Sequence, residues 1–91
     1  MSMPVNIVLP DLQAGPATLS VWFAQPGEDV FEGDRLVEVM IQGATFDVVA
    51  PVSGKLIQQR VLPRDQVVPG QVLGLLVSND EESPDRGQGE S

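Results

Sequence analysis

Apolar residues recur along this chain in short runs: Val5–Leu9, Thr18–Ala24, Leu36–Ile41, Thr45–Val49, Lys55–Leu62 and Gln71–Val77. Pro10, Gly15-Pro16, Pro26-Gly27, Gly33, Pro51, Gly54, Pro63 and Pro69-Gly70 separate them. Short apolar or alternating runs bounded by turn residues predict strands, and this spacing predicts a sandwich or barrel. Eight prolines and nine glycines leave no window for a stable helix.

The pattern also repeats. At an offset of 37 residues, Leu19 falls on Leu56, Pro26 on Pro63, Val30 on Val67, Gly33 on Gly70 and Leu36 on Leu73. Such a repeat predicts two β units related by a pseudo-two-fold axis around one shared core. The offset carries Gln42-Gly43 onto Asn79-Asp80, where the second unit ends. The Gln42-Gly43 turn and the exit of the chain are therefore expected at opposite poles.

Leu36–Val49 reads as a hairpin closed by a two-residue turn at Gln42-Gly43. This register pairs Ile41 with Ala44, Val39 with Phe46 and Val37 with Val48 on one apolar face. The other face pairs Met40 with Thr45, Glu38 with Asp47 and Leu36 with Val49. Gly43 supplies the positive φ such a turn needs, and Gln42 is a weaker choice there than Asn or Asp. Phe46 is predicted in the core, where truncation to alanine would cost about 3–5 kcal/mol. Glu38 opposite Asp47 is a like-charge pair, read as two solvated side chains. Two carboxylates without further oxygen ligands make a poor site for a hard cation, so no metal site is expected.

Composition narrows the chemistry. The chain has 91 residues, enough for one domain, with no cysteine, histidine or tyrosine. It therefore has no disulfide framework and no thiolate metal site, and it lacks the commonest general base, the commonest metal ligand and a common proton donor. No nucleophile–base constellation is visible, and no enzyme activity is expected. The net charge of −8 opposes binding to phosphate backbones, so nucleic acid is not an expected partner. No apolar run approaches a membrane span, and no secretory signal opens the sequence; the expected location is cytoplasmic. Residues 79–91 lack apolar side chains and are expected to be a disordered acidic tail behind a domain at 1–78.

An ordered set of motifs resembles the lipoyl/biotinyl carrier family, most closely the lipoyl domains of 2-oxo acid dehydrogenase acyltransferases. The set runs Leu9-Pro10-Asp11-Leu12, Trp22, Pro26-Gly27-Glu28-Asp29-Val30, Glu32-Gly33-Asp34 and Leu36-Val37-Glu38-Val39. It continues through Ala44-Thr45, Ala50-Pro51-Val52-Ser53-Gly54, Val67 and Gly70-Gln71-Val72-Leu73. The resemblance implies an all-β flattened barrel, a sandwich hybrid of two four-stranded antiparallel sheets. It also implies a hairpin tip whose lysine carries lipoate or biotin. The usual lipoyl tip reads Asp-Lys-Ala; this one reads Gln42-Gly43-Ala44. Glycine offers no amine, so neither cofactor can be attached at Gly43. The loop between Leu12 and Trp22 is also shorter than the lipoyl pattern, with Gln13-Ala14-Gly15 in place of its glycine-glutamate-glycine.

The expected function is thus a non-catalytic, lipoyl-like module that acts through a protein partner or within a larger assembly. The alternative is a working carrier modified at an atypical site. That site would have to be Lys55, the only lysine, which otherwise reads as a surface residue beside a turn. Secretion adaptors also contain lysine-free lipoyl-like domains, but the long helical hairpin that usually divides their halves is missing here. Trp22 reads as a core residue rather than a ligand-stacking one.

Overall fold

Three strands of the first half recur in the second at the same offset. In a computed structural model, which describes residues 3–13 and 15–78, β2 spans Ala17–Trp22, β3 Asp29–Val30 and β4 Arg35–Ile41. Their counterparts are β6 at Gly54–Gln59, β7 at Gln66–Val67 and β8 at Val72–Ser78. The two remaining strands, β1 at Met3–Val8 and β5 at Ala44–Val49, are also counterparts. One antiparallel sheet has the order β1-β8-β6-β3 and the other β5-β4-β2-β7. Substituting each strand by its counterpart converts one order into the other. No ladder joins the two sheets, so they form a sandwich and do not close into a barrel.

The repetition reaches individual hydrogen bonds. The Gly27 N–H donates to Leu56 O at 2.7 Å, and the Arg64 N–H donates to Leu19 O at 2.8 Å. Glu28 Oε1 accepts from the Gln25 N–H at 2.8 Å, and Asp65 Oδ2 accepts from the Leu62 N–H at 2.9 Å. Trp22 Nε1 donates to Val61 O at 2.8 Å; the equivalent Gln59 Nε2 donates to Ala24 O at 2.9 Å. Each half thus sends one side-chain donor to the backbone of the other, which fixes their docking and satisfies carbonyls that no ladder reaches.

Bulges correct the simple alternation expected of the strands. The register of β2 shifts between Leu19 and Val21, and that of β6 between Leu56 and Gln58. The extra residue changes the phase of the side chains. Trp22 and Ala24 therefore join Leu19 in the core, while Val21 and Phe23 are exposed. A third bulge between Arg35 and Val37 places Arg35, and not Leu36, opposite Val49. Both Leu36 and Val37 are consequently buried. The strands β3 and β7 have only two residues each, too few to show a period in sequence.

The core contains Ile7, Leu9, Leu19, Trp22, Leu36, Val39, Leu56, Val67, Leu73 and Leu76 with smaller neighbours. Phe46 is not among them. It remains 39% exposed, which corrects its expected place in the core. Its strand β5 lies at the edge of a sheet, and within β5 only Val48, toward the base of the hairpin, is buried. The tail expected at 79–91 lies outside the described residues.

Candidate functional site

The β4–β5 hairpin has the register read from the sequence between Val37 and Val48. Val37 pairs with Val48, Glu38 with Asp47, Val39 with Phe46, Met40 with Thr45 and Ile41 with Ala44. Both turn residues have positive φ, 51° at Gln42 and 83° at Gly43. Two successive left-handed residues are what a two-residue type I′ turn requires. A Cβ built on Gly43 would meet no atom within 4 Å, so the space around the tip is open, and the positive φ is what a side chain there would strain against.

The tip stands away from Ser78, the end of β8. From the base of the hairpin the chain passes Ala50 and reaches Gly54, which pairs with both Ser78 and Val30. The described end of β8 is therefore near the hairpin base. At the other pole, Thr18 pairs with Met40, one residue before Ile41, so the Leu9–Pro16 loop ends beside the tip. In this loop Gln13 has φ 58°, and its N–H donates to Asp11 Oδ1 at 2.9 Å.

The outward face of the hairpin carries the charged side chains. Glu38 and Asp47 are opposed as expected, and Arg35 Nη1 lies 3.8 Å from Asp47 Oδ2. The Arg35 guanidinium also sits 4.5 Å from the centre of the Phe23 ring. A cation one turn of the pleat away thus relieves the like-charge pair, although exposed pairs of this kind contribute little. Arg35 escaped the sequence reading because the bulge shifted its register. Among the described residues no cluster of three acidic, histidine or cysteine side chains could hold a metal ion.

The other residues singled out from sequence lie elsewhere. Trp22 is 6% exposed and its indole N–H is committed to Val61 O, so it is a core residue. Lys55 is the second residue of β6, pairs in register with Asp29 and Val77, and lies beside the Ser78 end. Its Nζ is 3.6 Å from Asp29 Oδ1 and 3.5 Å from Gly27 O. Nothing brings it to the tip. A covalent acyl cofactor needs a nitrogen nucleophile on an exposed projection. Gln42, Gly43 and Ala44 supply the projection without the nitrogen, so these residues do not fit lipoate or biotin.

Comparison with known proteins agrees with this architecture. A family model described as "Biotin-requiring enzyme" matches residues 6–76. The chain is 30% identical over 73 residues to the dihydrolipoyllysine-residue acetyltransferase component of the pyruvate dehydrogenase complex of Bacillus subtilis. That match covers 78% of this chain and only 16% of the longer relative. Among solved structures, the lipoyl domain of the 2-oxoglutarate dehydrogenase complex from Azotobacter vinelandii superposes with a TM-score of 0.58 at 24% identity. There the match covers 84% of this chain and 94% of the lipoyl domain. A single-chain, multi-domain long-chain acyl-CoA carboxylase gives a TM-score of 0.71 at 19% identity over 82% of this chain and 7% of its own. At these identities the two structures establish likeness of fold.

Proposed function

Because this chain belongs to the biotinyl/lipoyl carrier family, we propose that it keeps the carrier fold without the carrier chemistry and serves as a protein-interaction or structural module. Domains of this family carry a covalent group and do not themselves catalyse. The observation behind the reading is the Gln42-Gly43 turn: a well-formed, open hairpin tip whose residue at the family's attachment position has no side chain. The absence of histidine, cysteine and tyrosine supports a non-enzymatic role. The acetyltransferase relative is a component of the pyruvate dehydrogenase complex, which favours a protein partner for this chain.

A carrier modified at Lys55 is the competing reading. An acyl arm on Lys55 would project from β6, at the pole remote from the hairpin tip, and would remove the charge that now faces Asp29. The test is the intact mass of the protein isolated from its native source. The proposed function requires the mass of the unmodified chain. A lipoyl or biotinyl increment mapped to Lys55 would replace it with the carrier reading.

A further inference from the structure

The hairpin presents a second feature besides its tip: among the described residues its outer strand, β5, is an unpaired sheet edge. Ile41 and Ala44 flank a two-residue turn, so they exchange both backbone hydrogen bonds. Along β5, Ala44, Phe46 and Val48 then direct their N–H groups toward β4. The base of the hairpin confirms this alternation, since the Ala50 N–H donates to Asp34 O at 2.8 Å. The N–H and C=O groups of Thr45, Asp47 and Val49 therefore point away from β4. No described strand lies there.

The three other sheet edges differ. β3 and β7 have two residues each. β1 is as long as β5, but it contains Pro4. The Leu9 N–H donates to Gln71 O at 3.0 Å, which places Met3, Val5 and Ile7 inward-facing and Pro4 outward. Pro4 is the counterpart of Thr45, so β1 lacks an outward donor that β5 retains. Proline and shortness both suppress edge pairing. β5 has neither, and beside its open edge stands the half-exposed ring of Phe46.

We propose that β5 pairs antiparallel with β5 of a second copy of this chain, with the two-fold axis at Phe46. Outward-facing residues must pair with one another, and the symmetric registers that engage at least two of them on each strand are centred on Phe46, Asp47 or Val48. Centring on Asp47 sets two carboxylates directly opposite. Centring on Val48 drops Phe46 beyond the end of the partner strand. The register centred on Phe46 sets each Thr45 opposite the other copy's Asp47, where the hydroxyl donates to the carboxylate. It also places the two Phe46 rings side by side, as a pair without backbone bonds, where side chains approach most closely. Ala44 then faces Val48, so the inner side of the junction is apolar throughout. Because Pro4 blocks the equivalent edge, the contact closes as a dimer and does not propagate.

The pairing sets Gly43 opposite Val49 of the second copy, so the bare tip lies against a neighbouring strand. This goes beyond the proposed function and stands or falls separately from it, since it needs no statement about acylation. A junction of one strand pair is small, and the dimer is expected to be weak and concentration-dependent. Both copies are acidic, so added salt should strengthen it.

Sedimentation velocity of the full chain from about 10 µM to 1 mM provides the test. The wild type should pass from monomer to dimer across that range, and Thr45→Pro should remain monomeric. The fold accepts proline at the equivalent Pro4, so this variant should stay folded by circular dichroism. Oxidative cross-linking supplies an independent readout, because the chain has no cysteine of its own. Phe46→Cys should form a disulfide-linked dimer at least tenfold faster than Thr45→Cys. A wild type that stays monomeric throughout would overturn the proposal and leave β5 to a strand of another protein. So would a dimer unaffected by Thr45→Pro, or equal cross-linking of the two cysteine variants.

Discussion

Gly27 and Arg64 occupy the same place in the two halves, and both hold the backbone in the left-handed region, with φ of 94° and 80°. Each donates its N–H across to the other half, to Leu56 O and Leu19 O respectively. The bonding requires the conformation whatever the residue. Glycine meets it without steric cost, whereas arginine bears the contact between Cβ and backbone that disfavours this region. The second half makes the same turn with arginine where the first has glycine. At the next turn both halves retain one, Gly33 and Gly70, with φ of 91° and 85°.

Arg64→Gly is therefore expected to stabilise the domain, by about 0.5–1 kcal/mol, with a rise in melting temperature of a few degrees. The converse change, Gly27→Ala, should destabilise it by about 1 kcal/mol, although a Cβ there meets no atom within 4 Å. Thermal denaturation of the two variants checks the pair. Changes of the same sign would show that the left-handed conformation is not what distinguishes them.

The reciprocal bonds from Trp22 and Gln59 should differ in weight. Trp22→Phe deletes the donor to Val61 O and leaves space in the core, which should cost about 2–4 kcal/mol. Gln59 is only partly buried, so Gln59→Leu should cost about 1 kcal/mol. Urea midpoints at constant slope would give this order. Equal losses would mean that the lost hydrogen bond sets the cost in both variants and that the buried ring adds nothing.

Phe46 and Val39 are cross-strand partners with opposite environments, one 39% exposed and the other 0%. Val39→Ala should cost about 2 kcal/mol and Phe46→Ala about 1 kcal/mol, although phenylalanine is the larger side chain. The measurement belongs at low micromolar concentration, below the range in which the proposed dimer would form. A larger loss from Phe46→Ala than from Val39→Ala would place the ring in the core after all.

The strands, their repeat and the hairpin are legible from local signals, whereas the two four-stranded sheets come from the family resemblance. Alternation around Gln42-Gly43 defines a register, and turn residues at a constant offset define the repeat. The errors arise where a backbone irregularity intervenes. The bulge between Leu19 and Val21 changes which residues after it face inward, and no residue type marks it. The exposure of Phe46 depends on β5 being an edge strand, a property of strand order that cannot be read from β5 itself. The bond from Trp22 to Val61 spans 39 residues and becomes visible only once the halves are docked. At the tip, the family resemblance points to Gly43 as the attachment position, and the structure adds the positive φ of both turn residues and the open space around Gly43.

The central claim is that the hairpin retains the carrier geometry and lacks the amine. Intact mass in one lipoyl ligase reaction tests it most directly, with lipoate and ATP and an ordinary lipoyl domain as the positive control. The wild type should keep the mass of the plain chain. Gly43→Lys combined with Gln42→Asp should gain one lipoyl increment at position 43, because the tip is open and the left-handed backbone costs lysine only about 1 kcal/mol. Lipoylation of the wild type, abolished by Lys55→Arg, would contradict the account.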